Sequence, residues 1–271
     1  MYDDQFSGKY AVITGGTQGL GEATARLFVM RGAAGIVICG RNSARGEQIA
    51  GELSKKGCIV HFVNADLSKI DDCRLVISEA GKEFGRIDVL INAAGITDRG
   101  TLLSTTPELF DRLFNVNVRA PFFLMQESVK LMKRKNIRGS IVNILSMAAH
   151  GGQPFLTAYG GSKGALAVIT KNAAYSVLND RIRINALNIG WMDTPGEDYT
   201  QKIMDGSPGD WLEKAEKLQP QKRLLKPDEV ARAIAFLSSE ESGMMTGAII
   251  DFDQSVVGCY DSPPHPSGSI W

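Results

Sequence analysis

Tyr159 and Lys163 are the two residues whose types and spacing most directly suggest chemistry. On a helix, residues four apart lie on one face, about one turn from each other. A free phenol has a pKa of about 10, and a neighbouring ammonium group favours the phenolate and lowers that pKa. We therefore expect the pair to exchange a proton with a hydroxyl or carbonyl group. Alone, this pattern is a weak signal, because it also arises by chance on surface helices.

Ser146 precedes Tyr159 by 13 residues (159 − 146) and closes a predicted strand. Its hydroxyl can reach a carbonyl oxygen held beside Tyr159, which would place three polar groups around one reacting centre. Serine at a strand end is also a common turn residue, so both interpretations stay open at this point.

A glycine-rich segment, Thr14-Gly15-Gly16-Thr17-Gln18-Gly19-Leu20-Gly21, follows the first predicted strand and leads into a helix. Strand, turn and helix in this order are the context of a dinucleotide phosphate loop. Gly15 permits the sharp turn, Gly19 lets the backbone approach a pyrophosphate, and Gly21 lets helix and strand pack closely. The N–H groups and dipole of the helix favour bound phosphate. The expected dinucleotide contacts in this loop are Gly15, Thr17, Gln18, Gly19, Leu20 and Gly21.

The end of the second predicted strand indicates which dinucleotide binds. An acidic residue there would hydrogen-bond the ribose hydroxyls of NAD and repel a 2′-phosphate. The sequence instead has Cys39-Gly40-Arg41-Asn42, and the guanidinium of Arg41 can pair with a phosphate. We predict that Arg41 and Asn42 lie at the ribose and that NADP is preferred, with NAD as the other option. In the alternative interpretation, Arg41 is a solvated residue at a helix start.

Two further strand ends supply candidate cofactor contacts. Asp66 and Leu67 follow the third strand, where Asp66 can accept from an adenine amino group or cap the next helix. The fourth strand ends in one amide residue and three small ones, Asn92, Ala93, Ala94 and Gly95. Small residues allow the backbone to lie against the cofactor, and Asn92 can connect neighbouring strand ends.

Short apolar segments alternate with amphipathic ones along the chain and must position these residues. The predicted strands are 10–14, 36–39, 59–63, 87–91, 140–145, 182–187 and 248–252. The predicted helices are about 20–31, 43–55, 70–84, 107–135, 158–178 and 227–237. This order predicts an α/β, doubly wound, Rossmann-like fold of three layers with a seven-stranded parallel sheet.

No internal linker interrupts the pattern, so residues 1–260 are predicted to form one dinucleotide-binding and catalytic domain. Within it, residues 195–222 are polar and contain scattered glycine and proline, and they are predicted to form a mobile substrate flap. Three prolines keep the C-terminal tail, 261–271, from long regular structure. This tail either frays or docks on a neighbouring subunit through Trp271.

Thirty basic and thirty acidic residues give a formal net charge of zero. Such a chain lacks the electrostatic footprint of nucleic-acid or anionic-membrane binding, and no apolar run is long enough to span a bilayer. The four cysteines and three histidines show no zinc-ligand spacing, so no metal site is predicted. The cysteine usage and an acidic N-terminus without signal-peptide features favour a cytoplasmic protein.

Together these motifs resemble those of the short-chain dehydrogenase/reductase family. They are the Thr-Gly-x-x-x-Gly-x-Gly loop at 14–21, Asn-Ala-Ala-Gly at 92–95, Asn117, Ser146 and Tyr-Gly-Gly-Ser-Lys at 159–163. The likeness continues through 185–194 and 250–253 and covers roughly 6–258. Each motif is modest alone, whereas the set in this order is very specific.

The resemblance implies an oxidoreductase that transfers a hydride between NADP(H), or NAD(H), and an alcohol/carbonyl pair without a metal. It implies that Tyr159 is the acid/base, that Lys163 also binds the nicotinamide ribose, that Ser146 orients the substrate oxygen, and that Asn117 holds a relay water. The family usually forms dimers or tetramers, so a homo-oligomer is expected.

The resemblance is imperfect after the sixth strand. Ile189 stands where the family often has proline, and Ile189 and Thr194 are candidate contacts to the nicotinamide carboxamide. Trp211, in the predicted flap, is expected to be core packing of a short amphipathic helix.

Candidate substrate contacts are Ser146, His150, Gln153 and Trp191, since the chain must pass over the substrate there. His150 is equally well explained as a partly exposed loop histidine. This mixture of polar and apolar residues favours a small polyol, a sugar or a secondary alcohol. A 3-oxoacyl-thioester reductase and a dinucleotide-sensing regulator without turnover are the alternatives. A thioester reductase would be expected to have a basic surface near the pocket. A regulator without turnover would not need a phenolate.

Overall fold

The computed structural model describes residues 4–259 of the chain. Its strands are β1 (Tyr10–Thr14), β2 (Gly35–Gly40), β3 (Ile59–Asn64), β4 (Val89–Asn92), β5 (Ser140–Ser146), β6 (Arg183–Ile189) and β7 (Ile249–Phe252). They pair in parallel in the order β3-β2-β1-β4-β5-β6-β7. The strand order reverses between β1 and β4, the position at which ligands bind in doubly wound sheets. The predicted fold class is thus confirmed.

Helices cover both faces of this sheet. They are α1 (Gly19–Met30), α2 (Ser43–Ser54), α3 (Ile70–Phe84), α4 (Pro107–Phe114), α5 (Ala120–Arg134), α6 (Thr157–Ser176), α7 (Pro195–Tyr199), α8 (Trp211–Leu218) and α9 (Pro227–Ser238). Ile13 of β1 packs with α1, α2 and α9 on one face, whereas its neighbour Val12 packs with α3, α5 and α6 on the other. Because both faces of the strands are buried, the strands are read in the sequence as continuous apolar runs.

The helix expected over 107–135 is interrupted. A π-helical turn, Asn115–Arg119, separates α4 from α5. Pro121 has no N–H to donate to the carbonyl of Asn117, so the regular bonding pattern must change here. The N–H of Ala120 donates instead to the carbonyl of Asn115, five residues earlier. The single uninterrupted helix was therefore a wrong prediction, although the segment remains helical.

Residues 195–222 contain helix α7, a π-helical turn at Thr200–Met204 and helix α8. Trp211, the first residue of α8, is buried and packs with Ala215, Leu224 and Trp191. The expected packing role of Trp211 is confirmed. The predicted tail, 261–271, lies outside the described residues. None of the helices between residues 4 and 259 has the length and apolar character required to cross a bilayer.

Candidate active site

The carboxyl ends of four neighbouring strands meet at one edge of the sheet. The register places Thr14 of β1 beside Asn92 of β4, and Asn92 beside Asn143 of β5. Farther along, Ser146 of β5 lies beside Ile189 of β6. The fold therefore brings the glycine loop, the segment after β4 and Ser146 to a common edge.

The glycine loop has the shape of a phosphate cradle. Gly15 and Gly19 have φ values of +67° and +54°, in the region that favours glycine. A Cβ on Gly21 would lie 2.2 Å from the carbonyl oxygen of Gly15, so helix α1 can pack this close only with glycine there. The Gln18 side chain does not cap α1, which leaves the first N–H groups without a capping side chain. The loop therefore fits a bound pyrophosphate.

Side-chain hydrogen bonds fix the segment after β4 against its neighbours. The buried Thr14 hydroxyl accepts from the N–H groups of Ala93 and Ala94 at 3.1 and 3.0 Å. The Asn92 amide donates to Oδ1 of Asn143 at 2.8 Å. Asn92 thus connects neighbouring strand ends, as the sequence predicted.

At the adenosine end, Arg41 and Arg45 lie in different environments. Arg45 donates from Nε to the carbonyl oxygen of Thr17 and pairs with Glu22 at 3.3 Å. Asn42 caps α2, because its side chain accepts from the N–H of Arg45 at 3.0 Å. Arg41 is exposed, and its guanidinium forms no ion pair with any residue from 4 to 259. Of these two arginines, Arg41 is therefore the one whose charge is available to a ligand.

Asp66 follows β3, as predicted, but it does not cap the next helix. Helix α3 begins at Ile70 with Lys69 at the N-cap position. The carboxylate of Asp66 accepts instead from the N–H of Ser68 at 3.0 Å, and this hydrogen bond lowers the pKa of Asp66. Leu67 is buried in the hydrophobic core. The prediction that Asp66 caps the next helix was therefore wrong, and its contact with an adenine amino group stays a prediction.

Tyr159 and Lys163 lie one turn apart on α6, and both side chains are buried. The Lys163 Nζ atom lies 5.8 Å from the centre of the Tyr159 ring and donates to the carbonyl oxygen of Ile144 at 2.8 Å. The Ser146 hydroxyl accepts from the N–H of Ala148 at 3.1 Å, and it interacts with the Tyr159 phenol. The serine, tyrosine and lysine are thus assembled in one place.

The pKa values in this group differ from the sequence-based expectation. Burial raises the pKa of Tyr159 to about 12, and the hydrogen bond from Ser146 offsets only part of that rise. Burial also lowers the pKa of Lys163 to about 8. The predicted lowering of the Tyr159 pKa by Lys163 is not found in this arrangement, because loss of hydration dominates and the other groups that act on the phenol are Ser146, Glu197 and Arg99. At neutral pH the phenol is a proton donor.

Asn117 lies in the π-helical turn and is buried. Its Oδ1 accepts from the N–H of Ile96 at 3.0 Å, and its Nδ2 donates to the carbonyl of Ile96 at 3.0 Å and to Ser162 Oγ at 3.2 Å. A Cβ on Gly95 would lie 3.4 Å from both Asn117 Oδ1 and Lys163 Nζ. Asn117 therefore joins the segment after β4 to helix α6 beside Lys163.

The segment after β6 returns to the glycine loop. A Cβ on Gly19 would lie 3.6 Å from the Thr194 side chain. Thr194 also caps α7, since its hydroxyl accepts from the N–H of Glu197 at 3.0 Å. Ile189 packs against the core next to Ser146. Ile189 and Thr194, the two predicted contacts to the nicotinamide carboxamide, thus lie along the sheet edge that carries Ser146 and the glycine loop.

The three remaining substrate candidates are placed differently. The His150 ring is exposed and contacts Asp251 Oδ1 at 2.9 Å and Asn188 Nδ2 at 3.1 Å, so these groups would compete with a substrate for the ring. Gln153 is exposed in the loop before α6. Trp191 lies over Trp211 with ring centres 6.2 Å apart. Their contact with substrate stays a prediction.

Sequence reasoning missed two charged residues near Ser146, Tyr159 and Lys163. Arg99 and Glu197 form an ion pair at 3.4 Å with side chains 23% and 15% exposed. The charge of Glu197 raises the pKa of Tyr159 and that of Arg99 lowers it. The Thr-Pro-Gly-Glu sequence at 194–197 does signal a helix start, but no local pattern relates Glu197 to Arg99.

Comparisons with known proteins match nearly the whole chain. The family model described as enoyl-(acyl carrier protein) reductase matches residues 15–255. An uncharacterized oxidoreductase of Thermotoga maritima is 35% identical over 92% of this chain and 97% of that protein. A 3-oxoacyl-[acyl-carrier-protein] reductase from the same organism is 35% identical over 93% of this chain and 99% of that protein.

Another relative and a solved structure extend the comparison. An NADP-dependent (R)-specific alcohol dehydrogenase of Lentilactobacillus kefiri is 32% identical over 90% of this chain and 95% of that protein. A solved short chain dehydrogenase/reductase family protein superposes with a TM-score of 0.79 at 32% identity, covering 92% of this chain and 97% of that one. With its sheet order, glycine loop and Ser–Tyr–Lys group, the chain belongs to the short-chain dehydrogenase/reductase family of NAD(P)-dependent oxidoreductases.

Proposed function

We propose that the chain interconverts an alcohol and a carbonyl compound with Tyr159 as the acid/base, and that its substrate is a small polyol, sugar or secondary alcohol. The observation that carries the proposal is the buried Tyr159 phenol, which interacts with Ser146 and lies one helical turn from Lys163. A nicotinamide dinucleotide supplies the hydride acceptor or donor when bound. The positive-φ glycines and the close Gly21–Gly15 approach support its placement in the glycine loop.

In this proposal each polar group has a separate task. Ser146 orients the substrate oxygen, and in reduction Tyr159, protonated at neutral pH, donates the phenol proton to the carbonyl oxygen and becomes a phenolate. In oxidation the reverse step runs, and the phenolate of Tyr159 accepts the proton of the substrate hydroxyl. Lys163, whose pKa of about 8 lies near neutrality, binds the nicotinamide ribose and exchanges protons with its surroundings. Asn117 holds a water for proton relay beside Lys163.

The cofactor preference proposed is for NADP. The support is the exposed Arg41 guanidinium, which has no ion-pair partner among residues 4–259 and follows the strand that in NAD-binding proteins often ends in an acid. The Lentilactobacillus relative is named as NADP-dependent, which agrees with this proposal.

Assembly, location and the flap complete the proposal. A homodimer or homotetramer is supported by exposed apolar side chains on α6, where Val168 and Tyr175 are 61% and 79% exposed. The four free cysteines support a reducing, cytoplasmic setting. The segment 195–222 would act as the substrate flap. Light scattering of the purified protein measures the assembly state.

A second candidate is reduction of a 3-oxoacyl thioester, favoured by the Thermotoga relative of that name. One experiment separates the two. Purified protein is assayed with NADP and NAD against alcohols, polyols and sugars, and with the reduced cofactors against ketones and an acetoacetyl thioester. The proposal expects turnover of alcohols or polyols, whereas turnover of the thioester alone contradicts it.

A further inference from the structure

Glu197 lies in the first turn of helix α7, which begins beside the glycine loop. The residue before it, Gly196, is so close to the loop that a Cβ there would lie 3.6 Å from Gln18 Nε2. The charge of Glu197 also acts on the Tyr159 phenol. Glu197 is therefore near both the cofactor loop and the reacting group, and it forms one part of what we call the wall of the site.

Only one of the two oxygens of this carboxylate is used by the protein. Oε1 accepts from Trp191 Nε1 at 2.8 Å and from Gln201 Nε2 at 2.8 Å, and it pairs with Arg99 at 3.4 Å. Oε2 accepts no hydrogen bond from any part of the chain between residues 4 and 259. The side chain is thus held in place by Oε1 while Oε2 remains an acceptor for another group.

Arg99 forms the other half of this wall. Its loop is tied to the start of the Tyr159 helix, because the N–H of Gly100 donates to the carbonyl of Phe155 at 2.9 Å and the N–H of Thr157 donates to the carbonyl of Gly100 at 3.3 Å. The Arg99 guanidinium also lies 5.5 Å from the centre of the Phe155 ring. Arg99 and Glu197 therefore approach the reacting group from two different segments.

The wall, with the neighbouring Asp205, carries more negative than positive charge. Arg99 pairs with both Glu197 and Asp205, so one cation faces two anions and the sum is negative. An anionic substrate would meet this excess negative charge and would have to displace a carboxylate from Arg99. A hydroxyl group, in contrast, can donate to the unused Oε2 of Glu197 without breaking an existing contact.

We propose that Glu197 is a specificity residue that accepts a hydrogen bond from a second, non-reacting hydroxyl of a neutral substrate. The inference rests on the proposed function and narrows its substrate class to diols and longer polyols, or hydroxy ketones in the reductive direction. Simple alcohols and hydroxy acids are poorer substrates, because the first lack the donor and the second carry the wrong charge. The bound hydroxyl is unchanged by the reaction.

The test compares the whole enzyme on matched substrates: 2,3-butanediol, 2-butanol and 3-hydroxybutyrate, with xylitol as a longer polyol. The wild type is expected to show a kcat/KM at least tenfold higher for the diol or polyol than for the simple alcohol or the hydroxy acid. Glu197→Gln is expected to lower the ratio of diol to simple-alcohol kcat/KM about 10- to 100-fold, the range for a hydrogen bond to a charged acceptor. The loss is expected mainly in KM, since the bound hydroxyl takes no part in the reaction and its contact is the same in the ground state and the transition state.

Glu213→Gln is the matched control, because Glu213 lies in α8 of the same segment, is 68% exposed and pairs with Lys217. It is expected to leave the ratio unchanged. Equal losses on both alcohols in Glu197→Gln, or a wild type that prefers 2-butanol or 3-hydroxybutyrate, overturn the inference while the proposed function stands. Absence of turnover on every alcohol and ketone overturns the proposed function itself. The wild-type comparison decides the matter even if Glu197→Gln does not fold.

Discussion

The Lys163 ammonium nitrogen donates to the backbone carbonyl oxygen of Ile144 at 2.8 Å, which ties the first half of helix α6 to the end of strand β5. The side chain is only 5% exposed. A cation in such surroundings loses hydration, and burial accordingly lowers the pKa of Lys163 to about 8. The proposed active site therefore contains a lysine that titrates close to physiological pH.

This pKa predicts a pH-dependent contribution to stability. Between pH 8 and the ordinary lysine value of 10.5, the unfolded chain binds more protons at this position than the folded chain. The free energy of unfolding contributed by Lys163 therefore rises with pH across that window and is constant below it. Relative to Lys163→Met, the wild type is expected to gain about 2 kcal/mol between pH 7 and pH 10, as measured by urea unfolding.

The control for this prediction is Lys171→Met, because Lys171 lies on the same helix and is exposed. The buried tyrosine and cysteines titrate in all three proteins, so their effects cancel in the differences. If the free energies of unfolding of the wild type and of Lys163→Met changed in parallel with pH, burial would not lower the pKa of Lys163, and the prediction would be wrong.

Tyr159→Phe tests the proposed acid/base. The ring remains to pack with Leu113, Leu156 and Ala158, so the fold and cofactor binding are expected to persist. Loss of the proton donor is expected to lower kcat about 10²- to 10⁴-fold. Tyr175→Phe, on the same helix with a side chain 79% exposed, is expected to keep wild-type activity. A Tyr159→Phe enzyme within tenfold of the wild type would rule out this role.

Arg41→Ala tests the proposed cofactor preference. Removal of this exposed guanidinium, which has no ion-pair partner among residues 4–259, is expected to lower the kcat/KM ratio of NADP to NAD about tenfold or more, because the 2′-phosphate loses a charged donor. Arg134→Ala, an exposed arginine at the C-terminal end of α5, is the control and should not alter the ratio. A wild type that uses NAD better than NADP would contradict the proposal directly.

Gly21→Ala tests the cradle. Its Cβ would lie 2.2 Å from the Gly15 carbonyl oxygen, so α1 must move away from the turn, and dinucleotide affinity and Tm are both expected to fall. Gly51→Ala is the matched control, since a Cβ at Gly51 in α2 meets nothing within 4 Å. That change is expected to stabilise the protein by up to about 1 kcal/mol. Fluorescence titration with reduced dinucleotide and thermal unfolding measure the two effects, and unchanged affinity in Gly21→Ala would contradict the predicted contact.

Local patterns were sufficient for much of the structure. Strand β1 and helix α3 have the predicted bounds, Tyr10–Thr14 and Ile70–Phe84, because apolar periodicity and backbone preference act over a few residues. The glycine spacing at 15, 19 and 21 likewise predicted that helix α1 packs closely on the strand. This packing requires glycine at positions about one turn apart, which can be seen in the sequence. The order of the elements then determined the parallel sheet, and with it the edge where Ser146 and Tyr159 meet.

Other features depend on contacts between distant residues and were decided only by the tertiary structure. The π-helical turn accommodates Pro121 and is accompanied by the contact of Asn117 with Ile96, 21 residues away. The pKa of Tyr159 follows from its burial, which no i,i+4 spacing specifies. The pair of Arg99 and Glu197 joins residues 98 apart in the chain. Residue types and spacing thus determined which groups are available for chemistry, whereas packing determined their hydration, their charge and their neighbours.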